Sequence, residues 1–144
     1  MNLSVSCVWQ YWGVIDMSPE EDLLLSVKQC LRALNVPVYD FGQQRPTKFP
    51  QIVVSLQNEQ EQTDIKVLDY FLGTVAVDVY TDVANVGQAY ALGRQVANAM
   101  QRLKLAEWPS KYDSSSMRKL SDNSLEGRPL TRLAYLFDIF VYGK

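Results

Sequence analysis

The sequence predicts an α+β domain: a mainly antiparallel sheet of about four to five strands with two principal helices packed on one face. Three observations lead there. Leu23, Leu24, Val27, Cys30, Leu31 and Leu34 recur at helical spacing, and Ala89 to Leu103 repeats that pattern. Between and after them lie stretches that alternate apolar and polar residues. The helices are separated by hairpins rather than by single strands, which favours α+β over a parallel α/β sheet.

In chain order, Ser18-Pro19-Glu20-Glu21 starts the first helix. Ser18 can cap, Pro19 suits the first helical position, and Glu21 completes a capping box. Pro37 requires the helix to stop by Asn35 or Val36. Val36 to Phe41 is expected as a short strand, with its proline at an edge or a first-residue position. Gly42 to Pro50 is a loop. Gln51 to Gln57 is the next strand, and Asn58 to Thr63 a polar hairpin connection. The return strand begins near Ile65 and runs through Phe71 to Thr81, continuous or bulged at Gly73. Val75, Val77 and Val79 face the core; Ala76, Asp78 and Tyr80 face away. Asp82 or Asn85 caps the second helix. Its buried face is Ala89, Tyr90, Leu92, Gly93, Val96, Ala97, Met100 and Leu103. The small residues Ala89, Gly93 and Ala97 let it lie close to the sheet. Lys104 to Pro109 is a connection, Ser110 to Met117 a weak strand, and Asp122 to Pro129 a turn-rich loop.

The chain ends in its most apolar strand, Thr131 to Tyr142. Leu133, Tyr135, Phe137, Ile139 and Val141 share one face; Ala134, Leu136, Phe140 and Tyr142 share the other. A strand apolar on both faces is expected to be central and covered on both sides. Asp138 interrupts it and needs a partner, with Arg94 or a neighbouring subunit as candidates, unless it sits at an exposed end.

The totals narrow the function. The 144 residues suit one domain. Residues 1–17 are read as an N-terminal extension or arm, and residues 18–144 as the single α+β domain. Leu3, Val5, Cys7, Trp9 and Tyr11 alternate in the extension, which suits an edge strand or an arm on a neighbour. A net charge of −2 gives no basic excess for binding nucleic acid. No apolar run reaches the ~18 residues of a membrane span, and the N-terminus lacks a basic signal-peptide region. Two cysteines, Cys7 and Cys30, make no disulfide framework, and their spacing does not settle whether they pair. Cys30 is expected as a small core hydrophobe.

No catalytic, cofactor-binding or metal-ligating set is found. The chain has no histidine, which removes histidine-based nucleophile and zinc sites. No glycine-rich phosphate loop occurs. Glu20, Glu21 and Asp22 are read as a first-turn cluster complementing the helix dipole. Asp78 and Asp82 are read as a solvated strand face and a helix cap. Arg118, Lys119, Arg128 and Arg132 are read as solvated charges. No cofactor is expected, and the chain is expected not to be an enzyme.

Three segments carry a resemblance: VPVYDFGQQRPTKFPQIVVS, VAVDVYTDVANVGQAYALGRQVANAM and SLEGRPLTRLAYLFDIFVYG. From about Pro19 to Gly143 the chain resembles the tail-terminator, or tail-completion, proteins of long-tailed bacteriophages. The resemblance implies a homo-hexameric ring that caps the tail tube and joins it to a head-connector or stopper protein. It implies a virion component of the head–tail junction, assembled in the host cytoplasm, with DNA passing through the lumen without specific binding and no membrane involved. It carries no catalytic residues. The expected interface residues are Gln43, Arg45, Lys48 and Phe49 in the proline-rich loop, Glu59, Glu61 and Asp64 at the hairpin, and Asp138 and Tyr142 on the last strand. Other readings are a head-completion or connector ring, another minor tail component, or a small ligand-binding α+β domain.

Overall fold

A computed structural model describes residues 17–62 and 70–143. The expected extension therefore lies outside the described residues, except Met17. The elements are α1 (Pro19–Arg32), β1 (Val38–Asp40), β2 (Gln51–Gln62), β3 (Tyr70–Asp82), α2 (Val86–Gln101), β4 (Ser110–Asp122) and β5 (Leu130–Tyr142). One five-stranded sheet has the order β1-β2-β3-β5-β4. All neighbours are antiparallel except β1 and β2, which are parallel. The α+β expectation holds, and β5 is inserted between β3 and β4 as a central strand.

α1 starts as its sequence requires: Glu21 N–H donates to Ser18 Oγ at 3.2 Å, with Pro19 in the first turn. It ends at Arg32, earlier than expected, because Asn35 takes a left-handed φ of 63° to turn the chain toward Pro37. β1 is an edge strand, and Pro37 lies just before it, where its carbonyl accepts Ile52 N–H at 2.9 Å.

The hairpin departs from expectation. Asn58 to Gln62 are not a connection but continue β2, pairing with Thr74 to Tyr70. The bulge is not at Gly73, which pairs regularly with Glu59; it falls on the partner strand between Leu56 and Asn58. Gly73 has a different role. A Cβ there would lie 2.8 Å from Leu23 of α1, so the missing side chain lets the helix settle on the sheet. Gly93 acts alike on α2, where a Cβ would collide with the Tyr135 ring. The small-residue ridge is thus a close-approach surface, as its spacing predicts. Tyr90, expected in the buried face, is instead exposed, because the helix turns only one stripe inward. β4 is longer than its weak pattern suggested, running to Asp122.

The core lies between the helices and one sheet face. Leu23, Val27 and Leu31 of α1 and Ala89, Leu92, Val96 and Met100 of α2 meet Ile52, Val54, Val75, Val77, Val79, Leu133, Phe137, Ile139 and Val141. Cys30 is only half-buried at the seam of the helices, its thiol 3.6 Å from Ala99 O; burial pushes that thiol up.

Asp22 does more than complement a dipole. It is 1% exposed. Its carboxylate accepts N–H groups from Ala106 at 3.2 Å, Glu107 at 2.8 Å and Trp108 at 2.9 Å, and the Ser26 hydroxyl at 3.2 Å. The loop entering β4 is thereby fastened to the first turn of α1. Trp108 adds a second tie, its indole N–H donating to Met17 O at 2.9 Å. A buried donor left without its acceptor costs about 1–3 kcal/mol. Asp22→Ala strips the carboxylate from three backbone N–H groups and should lower stability by about 2–4 kcal/mol. A fall in the urea midpoint checks this, with a smaller change expected for Glu20→Ala in the same helical turn.

Candidate functional site

Among the described residues, no helix covers the second face of the sheet. β5 was expected to be buried on both sides. Its Leu133 side is buried, but Leu136 on the other is 42% exposed. Both helices pack against the same face, so alternation leaves Ala134, Leu136 and Phe140 looking outward. This uncovered face is the candidate functional surface.

It has three zones along the strands. At one end, Val53, Tyr80 and Leu130 form a second, small core covered by Phe49 and Leu125 from two loops. The proline-rich loop makes the crossover between parallel β1 and β2 and lies over this end. Gln51 fixes it by donating to Pro46 O at 2.9 Å and Lys48 O at 3.0 Å. Arg128 ties both loops down. Its Nε and Nη2 donate to Asp82 at 2.6 and 3.0 Å, its Nη1 to Thr47 O at 2.7 Å, and its guanidinium lies 4.8 Å from the Phe49 ring centroid. Asp82, expected as a helix cap, makes no capping bond and is held by Arg128 instead.

In the middle lies an ion pair. Arg132 Nη2 donates to Asp78 Oδ2 at 3.2 Å; Arg132 Nε is 3.2 Å from Oδ1 but not aligned to donate. Arg45 and Arg132 also stand 5.3 and 6.0 Å from the Tyr80 ring centroid. Arg128 and Arg132, read as solvated charges, are thus paired, because the loops and strands bring carboxylates to them that sequence distance hides. Beyond the pair is a shallow concavity of about 340 Å³, lined by Ser55, Ala76, Ala134, Leu136, Ser116 and Phe41 among others. Phe41 is 71% exposed beside it.

At the far end Asp138 finds its partners on the flanking strands. Its Oδ1 accepts the Thr74 hydroxyl at 2.6 Å and its Oδ2 the Ser114 hydroxyl at 3.2 Å. Neither Arg94 nor a neighbour is needed, since cross-strand registry sets Thr74 and Ser114 opposite it. Phe140 and Tyr142 stack at 6.4 Å.

The expected interface residues are therefore dispersed. Arg45 and Phe49 are used inside the subunit, on Tyr80 and the second core. Gln43 Oε1 accepts Asp40 N–H at 3.0 Å, and Lys48 is exposed. Asp138 and Tyr142 lie on the uncovered face. Glu59 and Glu61 pair through the backbone with Gly73 and Phe71, and Asp64 lies outside the described residues. Leu136 and Phe41 were not among the expected residues. The apolar second face of the last strand was the signal for Leu136; nothing in the sequence singles out Phe41. Among the described residues, no group of three or more His, Cys, Asp and Glu could hold a metal ion, and no helix is long and apolar enough to cross a membrane.

No family model matches the sequence, and no curated protein does. Among solved structures, a chain in the virion of a native gene transfer agent particle aligns with 84% of this chain and 95% of its own length, at 23% identity and a TM-score of 0.59. That likeness shows a common fold. A second solved chain covers 99% of this one at 10% identity and a TM-score of 0.42, too distant to carry an argument.

Two carboxylates of this face, Asp78 and Asp82, titrate with opposite consequences. Burial pushes Asp78 above its ordinary 3.8 despite Arg132. The folded state then holds that proton more tightly than the unfolded chain, so stability falls as pH rises from 3.8 through the raised value. The hydrogen bond from Arg128 holds Asp82 below 3.8. Its stabilisation is present above 3.8 and lost as pH falls through the lowered value. Urea unfolding across this range should show Asp78→Asn flattening the upper slope and Asp82→Asn the lower one.

Proposed function

We propose that this chain is a structural subunit of a phage-like virion and, more narrowly, a tail terminator: a hexameric ring that caps the tail tube and joins it to the head connector. The observation that carries the reading is the fold, shared with 95% of the length of a gene transfer agent virion chain. Fold alone does not fix function, so the surface matters. It offers no assembled catalytic chemistry among the described residues, and its role is structural rather than enzymatic. What it offers is a broad sheet face with apolar Leu136 and Phe41 set among small and hydroxyl side chains. Such a face suits a second copy in a closing head-to-tail ring. Loops pinned by Arg128 and Gln51 would hold their shape during assembly, limiting the ordering cost. Partners under this reading are the tail-tube protein and the connector or stopper protein, with DNA passing through the lumen past the hairpin.

Two measurements test it. Native mass spectrometry of the purified protein should give a hexamer, and Leu136→Arg should give a monomer with unchanged circular dichroism. A variant hexamer would remove the uncovered face from the ring contact. Particles assembled without the protein should carry overlong tails without heads. Tails of normal length lacking heads would instead favour a head-completion or connector ring.

A further inference from the structure

We infer that the uncovered sheet face of one subunit receives the Tyr90–Arg94 flank of α2 from a second copy, with Tyr90 seated on Leu136 and Arg94 paired to Asp138. This contact rests on the tail-terminator reading and supplies the surface that meets the open face in its ring. Closure into a ring needs two different, complementary patches on every subunit. Apart from Val83 at the entry to α2, the exposed large apolar residues among those described fall into two groups. Phe41 and Leu136 border the concavity of the open face. Tyr90 and Met117 belong to the helix side, 45% and 41% exposed. Met117 pairs with Tyr135 across β4 and β5, and Tyr90 and Arg94 both act electrostatically on the Tyr135 hydroxyl. The two groups thus look in opposite directions from one sheet, as a head-to-tail contact requires.

Charge matches the two surfaces. Asp138 follows Leu136 on the same face of β5, ~6.6 Å farther along the strand. It accepts the hydroxyls of Thr74 and Ser114, yet no cation pairs with it among the described residues. A carboxylate accepts about four hydrogen bonds, so two hydroxyls leave room for a guanidinium. Arg94 follows Tyr90 by one helical turn, ~6 Å farther along α2. It is exposed, and no carboxylate pairs with it among the described residues. α2 itself contains no acidic residue. An apolar side chain followed by an unneutralised charge therefore occurs on both surfaces, at similar spacing and with opposite sign. Within one subunit Arg94 and Asp138 cannot meet, because α2 packs on the other side of the sheet. Between copies they can, and Arg–carboxylate pairing then fixes the register of the contact. The open face is also large enough. Its four long strands span ~40 Å by ~19 Å, of the order of the ~800 Å² that one partner contributes to a stable interface.

Native mass spectrometry of single and mixed variants tests it, with circular dichroism confirming that each stays folded. Tyr90→Arg should be monomeric, as Leu136→Arg should be. Mixed together they should form a one-to-one heterodimer and nothing larger, because the Leu136→Arg subunit keeps its helix patch and the Tyr90→Arg subunit keeps its open face. Arg94→Gln and Asp138→Asn should each raise the concentration needed for assembly about tenfold, and the double variant should be little worse than either alone, since both remove one contact. A Tyr90→Arg ring, with Leu136→Arg monomeric, would overturn the inference while leaving the ring reading in place. A mixture that stays monomeric, or additive losses for Arg94→Gln and Asp138→Asn, would overturn it too. A Leu136→Arg ring would sink the open face as a ring contact and the inference together.

Discussion

Burial of β5 between two paired strands and beneath α2 is the constraint on which this fold rests. Leu133, Phe137, Ile139 and Val141 are essentially inaccessible to solvent, and both backbone edges of the strand are consumed by β3 and β4. The last strand of the chain therefore joins the middle of the sheet. Until it is in place, β3 has an open edge and β4 has no partner. Its helix-side residues also set how close the helices come. Tyr135 and Leu133 occupy the space that a side chain on Gly93 would need, so α2 rests almost directly on the strand.

Polar groups then fasten what the apolar core leaves loose. Asp22 gathers the backbone of the loop leading into β4, and Arg128 gathers the two loops at one end of the uncovered face. Each gives several hydrogen bonds to one side chain, and each joins segments far apart in sequence. Such contacts add stability mainly by leaving no buried donor or acceptor unsatisfied. The Asp78–Arg132 pair works under less favourable terms. Its carboxylate is buried enough for desolvation to outweigh the attraction, the common condition of buried ion pairs. The pair, with Asp138 farther along, sets polar groups into a strand face that also carries Ala134, Leu136 and Phe140, which keeps that face from becoming a fully sticky surface.

The two faces of the sheet serve different ends. One is spent on folding. The other has a small sealed core at one end, a shallow concavity in the middle and aromatic residues at the far end. A broad, partly apolar face of this kind can carry contacts with another protein, and the likeness to a virion chain shows a shared fold.

Much of this was legible in the residues. The start of α1, the two helical stripes, the edge placement of the strand that follows Pro37, the buried valines of β3 and the alternation of β5 all follow from local rules of spacing and capping. The length of β2 was not legible, because Asn58 to Gln62 carry no apolar pattern and are held in the sheet by pairing with β3. The partners of Asp22, Asp138, Arg128 and Arg132 were not legible either, since each is brought together by strand registry or loop closure across at least 24 residues, apart from the local Ser26 bond. By itself the sequence determined that β5 has two apolar faces. Only the tertiary structure decided which face is covered, because that depends on both helices crossing the same side of the sheet, and no periodicity within a strand records where distant helices will lie.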